Sequence, residues 1–407
     1  MKKGWPTKRL AELADRITDG SHNPPKGVPH SDYLMLSSKN VFDDDFHYEA
    51  PRYLTADQFK QEDKRTSIAP GDVLLTIVGT IGRSAVVPLG APPITLQRSV
   101  AVIRPSRECV VPRFLMYSFI SRSAELNGQA RGVAQKGIYL ESLRDLPITV
   151  PPLIEQQRIV DVLDEAFAGL ATAQANAEKN LQNARALFEN HLHSVFSQRG
   201  KGWVEKSVEE IAATAKGSIR TGPFGSQLLH SEFVDDGIAV LGIDNAVANE
   251  FRWGKSRFVT LKKYSQLERY RVHPGDVLIT IMGTCGRCAI VPDDIPVAIN
   301  TKHLCCITLD RSKCLPGYLH AYFLYAPLAQ DFLAKRVKGS IMAGLNMGII
   351  QELPVILPPI QQQAAIVEAA NALRTETQRL ESLYQQKQAA LVALKKSLLH
   401  QAFTGAL

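Results

Sequence analysis

The sequence lacks the segments that would place it in or across a membrane. No apolar run approaches the roughly 18 residues that a transmembrane helix needs. The opening residues, MKKGWPTKRLAEL, carry charge but have no apolar core, so we predict no signal peptide. With 45% apolar and 21% charged residues, the composition is that of a folded globular protein. We therefore expect a cytoplasmic location.

Common catalytic motifs are also missing. There is no GxxxxGK[ST] phosphate loop and no HExxH zinc motif. The stretch Asn23-Pro-Pro-Lys26 begins like the NPP-aromatic signature of amino-methyltransferases, but lysine cannot provide the ring that stacks on a flipped base. No glycine-rich turn for S-adenosylmethionine accompanies it. We predict no catalytic residue; an enzyme with unrecognised motifs, a methyltransferase or a nuclease, remains an alternative.

The six cysteines do not form a convincing metal site. Cys285 and Cys288 have zinc-ligand spacing, but no second CxxC pair completes the set. Cys305 and Cys306 are adjacent, so a strand would point them to opposite faces. We expect reduced, mostly buried thiols and no metal.

The main positive feature is an internal repeat. Residues 70–88 read PGDVLLTIVGTIGRSAVVP and residues 274–292 read PGDVLITIMGTCGRCAIVP, with fourteen of nineteen positions identical. The segment LPITVPPLIEQQRIV at 146–160 is repeated as LPVILPPIQQQAAIV at 353–367. A repeat of this length indicates two equivalent structural halves. We divide the chain into two globular domains, 1–150 and 201–357, each followed by a helical segment, 151–200 and 358–407.

Each globular domain is predicted to be strand-rich, because short β-branched runs alternate with Gly and Pro turns. Each helical segment follows a Pro-Pro pair and continues without proline for about 40 residues, with apolar residues stepping by threes and fours as in a coiled coil. The predicted fold is α+β, with two pseudo-twofold-related domains joined by two long helices in an antiparallel coiled coil. The alternative is that each helix packs on its own domain. The predicted seam contains Ile159, Leu163, Leu170, Ile366, Leu373, Leu380, Leu391 and Leu394.

The net charge of +7 lies mainly on the two globular domains, which carry +4 and +3, whereas the helical segments carry −2 and +2. A basic balance favours polyanionic partners such as nucleic acid, although many solvated surfaces reach this charge.

Taken together, these blocks resemble the specificity subunits of type I restriction–modification systems. The resemblance covers essentially the whole chain and rests on the paired GDVL[LI]TIxGTxGR blocks, the paired LPxxxPPxxxQ segments and the ending Leu399-His-Gln-Ala-Phe403-Thr-Gly405. The stretch from Asp19 to Pro24 also resembles a segment common near the start of such target-recognition domains. The second half departs from this pattern, with residues 221–226 reading TGPFGS.

The resemblance implies a non-catalytic subunit that reads a bipartite, asymmetric target in double-stranded DNA. Each domain would read one half-site, and the helices would fix the spacing between the half-sites. Two modification subunits would dock on the helices and methylate adenine at N6 with S-adenosylmethionine. Motor-nuclease subunits that use ATP and magnesium would restrict unmodified DNA. The chain itself would hold no cofactor.

We expect DNA contacts from loops, because base edges and phosphates are read by polar side chains and backbone NH groups. Several candidates have structural alternatives: the GTxGR blocks could be turns whose arginines pair with Asp72 or Asp276, and the two asparagines could simply shape turns. The candidates are Ser21, His22, Lys39, Asn40, Thr80, Arg83, Gln135, Lys136, Asn245, Thr284, Arg287, Lys338 and Ser340.

Two further functional alternatives stay open. One is a DNA-recognition subunit of another phage-defence complex with the same fold. The other is a coiled-coil scaffold without a DNA role, which the basic domains argue against.

Overall fold

The structure, a computed structural model, describes residues 4–130, 137–338 and 345–407. The chain divides into two compact units: Met1–Glu178 with Gln386–Leu407, and Lys179–Gln385. Both division points fall inside long helices. Each unit therefore contains one strand-rich domain and a part of each of the two helices.

The first unit contains most of the elements of the first repeat. Its strands are β1 (Thr7–Arg9), β2 (Ala14–Asp19), β3 (Tyr33–Leu36), β4 (Val41–Phe42), β5 (Asp45–Phe46), β6 (Arg52–Leu54), β7 (Val73–Thr76), β8 (Ser84–Val86), β9 (Ile94–Leu96), β10 (Val100–Pro105) and β11 (Pro147–Thr149). Its helices are α1 (Ala56–Thr66), α2 (Pro112–Ser121), α3 (Ser123–Gln129), α4 (Leu140–Arg144) and the beginning of α5 (Leu153–Ser197).

The second unit repeats this order. Its strands are β12 (Val204–Ser207), β13 (Ile219–Thr221), β14 (Ile238–Leu241), β15 (Phe258–Val259), β16 (Val277–Thr280), β17 (Cys288–Ile290), β18 (Ala298–Asn300), β19 (Leu304–Ile307) and β20 (Pro354–Leu357). Its helices are α6 (Val208–Ile211), α7 (Leu261–Leu267), α8 (Pro316–Tyr325), α9 (Pro327–Lys338), α10 (Met347–Gln351) and the beginning of α11 (Ile360–Thr404).

The sheets of the two units have matching topology. The antiparallel sheet β2-β10-β7-β8 corresponds to β13-β19-β16-β17. The mixed sheet β6-β3-β9, in which β3 and β9 are parallel, corresponds to β15-β14-β18, in which β14 and β18 are parallel. The pair β1-β11 corresponds to β12-β20. The predicted α+β repeat of two strand-rich domains is confirmed.

Successive strand residues point to opposite faces of a sheet. Each four-stranded sheet is buried on both faces, because alternate residues of its strands pack in two separate apolar clusters. In the second unit Cys305 packs in one apolar cluster and Cys306 in another, as predicted from their adjacency. Both thiols are fully buried, and burial raises their pKa, that of Cys305 to about 12. They therefore behave as small apolar side chains at neutral pH.

Within each unit the two helix segments run antiparallel. In the first unit the Arg158 guanidinium donates to the Leu407 carbonyl at 3.0 Å, and the Lys395 ammonium lies 5.0 Å from the Phe167 ring centre. In the second unit Arg185 pairs with Glu381 at 3.2 Å. The predicted long antiparallel helices are confirmed, and each long helix contributes residues to the cores of both units rather than packing on its own domain alone.

Most predicted seam residues are buried or half-buried, but Leu394 is 47% exposed and does not lie in the seam. Leu391 and Leu398 are half-buried, and Leu398 packs against the core of the first unit. Lys395, between them, is exposed and holds its ammonium over the Phe167 ring. None of the helices in the described part of the chain is long and apolar enough to span a membrane.

Candidate nucleic-acid interface

The duplicated GTxGR blocks form the same rigid turn in both units. Arg83 N donates to the buried Thr76 Oγ1 at 2.9 Å, and Arg287 N donates to Thr280 Oγ1 at the same distance. Gly82 adopts φ of 94°, and a Cβ there would come within 2.9 Å of Ser123. The turn therefore needs its glycine, which supports the structural alternative for the backbone of these blocks.

The structural alternative paired the turn arginines with Asp72 and Asp276, but other arginines bind these two carboxylates. Asp72 is instead bound in bidentate fashion by Arg104, at 2.9 and 2.8 Å. Asp276 is bound by Arg220 at 2.6 Å. Arg104 lies on β10, the neighbour of β7, whereas Arg220 lies on β13, which β19 separates from β16.

The two turn arginines have different surroundings. Arg83 is half-buried, and its guanidinium lies 4.6 Å from the Phe42 ring centre, a cation–π contact. Arg287 is exposed. Both threonines of the turns, Thr80 and Thr284, are also exposed, and Thr80 Oγ1 donates to the Ser38 carbonyl at 2.9 Å.

In the first unit the structure brings predicted residues from distant parts of the sequence to one end of the domain. We call residues 20–22, 37–40, 77–83 and 97–99 the first loop face. Thr80 bonds the Ser38 carbonyl, Ser38 N donates to Ser99 Oγ at 3.0 Å, and Arg98 N donates to the Ser21 carbonyl at 2.9 Å. The predicted Ser21, His22, Lys39 and Thr80 therefore lie close together, with Ser21 buried and the other three exposed.

The second unit has an equivalent set, residues 222–226, 242–245, 281–287 and 301–303, which we call the second loop face. Thr301 N donates to the Leu241 carbonyl and Ile281 N to the His303 carbonyl, both at 2.9 Å. Gly20 and Gly222 occupy equivalent positions, where the backbone passes close to the end of β9 or β18. A Cβ would lie 2.1 Å from the Leu96 carbonyl oxygen at Gly20 and 2.0 Å from the Asn300 carbonyl oxygen at Gly222, so neither position has room for a side chain.

The two asparagines shape turns. Asn40 is 5% exposed; its amide oxygen accepts from Ser37 N at 3.0 Å, and its amide nitrogen donates to the carbonyls of His47 and Glu49. Asn245 is 2% exposed and bonds Gly242 N and the Arg252 carbonyl in the same way. The alternative, an asparagine that shapes a turn, therefore describes the amides of both residues.

His22 and Ser21 differ in accessibility. The His22 side chain is exposed, with Nε2 at 2.8 Å from Asp19 Oδ2, whereas Ser21 is buried. Arg65, from α1, also binds Asp19. The buried Asp19 carboxylate therefore anchors an imidazole and a guanidinium at the edge of the first loop face.

The structure adds candidates that sequence reasoning missed. A cleft of about 420 Å³ beside the first loop face is lined by Arg65, Arg98 and Tyr139 among others, and Tyr139 is 65% exposed. Arg98 corresponds to Lys302 in the second unit at the repeat shift of 204. A cation at the same loop position in both halves, between β9 and β10 and between β18 and β19, was the signal that could have identified Arg98 and Lys302.

The second loop face is also basic. Lys302 lies next to His303, whose pKa is lowered by burial and by the cations Lys302 and Arg257. His303 is therefore neutral at pH 7. Arg287 and Lys302 are left to provide positive charge, because Arg257 pairs with Asp244.

Four predicted residues cannot be placed fully. Gln135, Lys136 and Ser340 lie outside the described residues. Lys338 is the last residue of α9 rather than part of a loop. Gly137, which follows the first of these segments, bridges to Val78 beside the turn of the first loop face.

The long helices carry a second candidate surface. Leu187 on α5 is 50% exposed, and Leu394 on α11 is 47% exposed. The repeat shift of 207 relates these two leucines, so each unit presents one equivalent apolar side chain on its helix segments. Within the described residues, no group of three or more His, Cys, Asp and Glu side chains is arranged to hold a metal ion.

Known proteins resemble this chain over most of its length. It is 24% identical over 332 residues to the Escherichia coli type I restriction enzyme EcoBI specificity subunit, an alignment covering 77% of this chain and 70% of that protein. It is 21% identical over 308 residues to the MjaVIII specificity subunit of Methanocaldococcus jannaschii, covering 72% and 69%.

Solved structures share the fold. A chain from a type I R-M system solved to explain its complex assembly and conformational transition superposes with a TM-score of 0.76 at 18% identity, covering 100% of this chain and 99% of that one. The HsdS subunit from Thermoanaerobacter tengcongensis superposes with a TM-score of 0.63 at 18% identity, covering 100% and 98%. The family described as type I restriction modification DNA specificity domain matches residues 3–181 and 201–388. With both repeats matched, this chain belongs to the type I restriction–modification DNA specificity family.

Proposed function

We propose that this chain is the DNA-reading subunit of a type I restriction–modification complex. Each domain reads one half of a bipartite, asymmetric target through its loop face, and the chain performs no chemistry itself. Partner modification subunits methylate adenine at N6 with S-adenosylmethionine. Motor-nuclease subunits that use ATP and magnesium restrict unmodified DNA.

The observation that carries this proposal is a backbone geometry that the two units share but that presents different side chains. Gly20 and Gly222 make the same close backbone approach, yet the residues that follow are Ser21-His22 in one unit and Pro223-Phe224 in the other. Lys39 in the first turn corresponds to Asp244 in the second. Because base edges differ in donors and acceptors, a conserved frame with exchanged polar residues suits two different half-sites.

The positively charged residues of the loop faces suit the phosphate backbone. Arg98 and Lys302 occupy the same loop position in the two units, and Arg287 is exposed on the GTxGR turn of the second unit. Contacts to phosphate fix the register of a protein on the duplex without carrying sequence information, so these cations can be similar in both units.

The related leucines Leu187 and Leu394 support docking of two copies of one partner. A surface that occurs twice on one chain presents the same apolar anchor to each copy. We assign these positions to the two modification subunits.

The proposal is tested by single-molecule sequencing of host DNA with and without this gene, scored for N6-methyladenine. We expect a gapped, two-part adenine motif that disappears on deletion. An unchanged methylation pattern, with the partner subunits expressed, would refute guidance of adenine methylation by this chain.

A further inference from the structure

A partly buried polar network joins three elements of the first unit, α2, α5 and the turn between β4 and β5. Arg113 on α2 donates to Asp44 at 2.9 and 2.7 Å and to Asp164 on α5 at 2.7 Å. The Tyr117 hydroxyl donates to Asp164 at 2.5 Å. Burial works against the charged form of Arg113, but the hydrogen bonds to both carboxylates raise its pKa overall.

All four positions of this network change in the second unit. The repeat places Gly317 at the position of Arg113, Ala321 at that of Tyr117, Asn249 at that of Asp44 and Asn371 at that of Asp164. The correspondence is structural as well, since Asp44 and Asn249 both adopt left-handed φ values, 61° and 59°. The cation and both carboxylates are lost together, which avoids leaving carboxylates without a partner.

The missing side chains leave an open pocket of about 250 Å³ within the second unit. Its wall includes the two amides of Asn249 and Asn371, and the rings of Phe188 and Tyr325 meet edge to face at 5.3 Å. His320 on α8 replaces part of the lost network, because its Nε2 lies 2.9 Å from the Asn249 carbonyl. The helix α8 is therefore still bonded to the turn at Asn249, while the pocket remains open.

The pocket has little net charge. Glu250 and Arg374 stand at its rim, 3.8 Å apart, and offset each other. Its amides both donate and accept hydrogen bonds. A charged occupant would lack a dedicated counterion, whereas an uncharged group with its own donor and acceptor would match the amides and fill the aromatic walls.

We propose that this pocket receives an uncharged, hydrogen-bonding side chain, an amide or a phenol, from one of two docked modification subunits. The inference rests on the proposed docking surface: Phe188 lines the pocket, and the exposed Leu187 is its neighbour on α5. The first unit supplies its own side chains, Arg113 and Tyr117, to the equivalent space. The two docking surfaces therefore differ, and only the one on the second unit accepts a side chain from outside.

Filling the pocket tests this inference. Ala321→Tyr introduces the residue that the first unit carries at the same helix position, so the helix can accommodate it. Asn371→Leu removes one amide at an exposed helix position and leaves the backbone unchanged. Ala365→Tyr, exposed on α11 and not a pocket residue, is the matched control. Each chain is titrated with the cognate modification subunit and examined by native mass spectrometry.

We expect the unmodified chain and Ala365→Tyr to bind two copies, and Ala321→Tyr to bind one copy tightly and lose the other. Asn371→Leu should weaken one of the two binding steps roughly tenfold, in keeping with one lost hydrogen bond in a desolvated site. Two copies bound with unchanged affinity by both pocket variants would refute the pocket as a docking site. Weakened DNA binding with both copies retained would assign the occupant to DNA and also refute it. If even the unmodified chain binds no modification subunit, the docking proposal itself fails.

Discussion

Gln156 and Gln363 make the same three hydrogen bonds at the start of the two long helices. The Gln156 amide oxygen accepts from Val111 N at 2.8 Å, and its nitrogen donates to the carbonyls of Cys109 and Pro151. The Gln363 amide bonds Leu315 N at 3.0 Å and the carbonyls of Lys313 and Pro358. Each buried amide joins a long helix to the N-terminus of the domain helix α2 or α8, which explains the repeated PPxxxQ motif.

Removing this amide should destabilise the protein. Gln156→Ala leaves the Val111 NH and two carbonyls without their partner, and we expect a loss of about 3 kcal/mol in the free energy of unfolding, measured by urea denaturation. The neighbouring Gln157 is exposed and bonds only Asp161, so Gln157→Ala should cost less than about 0.5 kcal/mol. Similar losses for both variants would contradict a structural role specific to Gln156.

Neutralising a cation of a loop face should weaken DNA binding. We expect Arg287→Ala to reduce the affinity of the assembled complex about tenfold and to lower the salt dependence of binding by about one phosphate contact. Arg98→Ala should act similarly. Fluorescence anisotropy over a range of salt concentrations measures both quantities.

The control for this experiment is Lys8→Ala, because Lys8 is exposed on β1, outside the first loop face. It removes the same charge and should leave both affinity and salt dependence nearly unchanged. Equal effects of all three substitutions would mean that the loop faces contribute only to net charge.

A charge at either exposed helix leucine should disrupt partner binding. Leu187→Asp and Leu394→Asp each place a carboxylate at an apolar anchor, and we expect each to remove one modification subunit while the double variant removes both. Light scattering of the purified complex reports the stoichiometry. Both leucines are about half exposed, so folding should be preserved, which circular dichroism checks. A double variant that retains two subunits would exclude this surface.

The buried thiols should make stability fall at alkaline pH. Burial raises the pKa of Cys305 from 9.0 to about 12, so this thiol stabilises the folded state fully below pH 9 and progressively less as pH rises towards 12. We expect Cys305→Val to lose less stability than the unmodified chain between pH 9 and 11, with slopes differing by about 1.4 kcal/mol per pH unit. Urea unfolding at several pH values measures the slopes, and identical slopes would contradict the assignment.

The repeat, the strand-rich domains and the long helices were predictable because they rest on residue patterns that recur at fixed spacing. The seam was less predictable: Leu394 is apolar and fits the helical spacing, yet its side chain is 47% exposed. Hydrophobicity identifies apolar residues but does not show which of them face another part of the chain.

The loop faces were only partly predictable. The sequence identified several turns of the loop faces, but it could not show that the amides of Asn40 and Asn245 bond the backbone of those turns, because only coordinates show where an amide points. Arg98 and Lys302 were visible in the repeat but overlooked. The pocket beside Gly317 depends on differences at four positions in three segments, and that relationship becomes apparent only when the first unit shows which side chains fill the equivalent space there.

The sharing of both helices between the units has a consequence for biosynthesis. Leu399 and Ala402 belong to the core cluster that also contains Leu10 and Phe114, so the N-terminal domain acquires its last core residues from the C-terminal end of α11. A ribosome delivers the chain in order, and residues 386–407 emerge after every strand of both domains. Part of the apolar surface of the first domain therefore stays uncovered until the second domain and the end of α11 have been synthesised. Chaperones that bind nascent chains would meet this intermediate throughout translation of the second half.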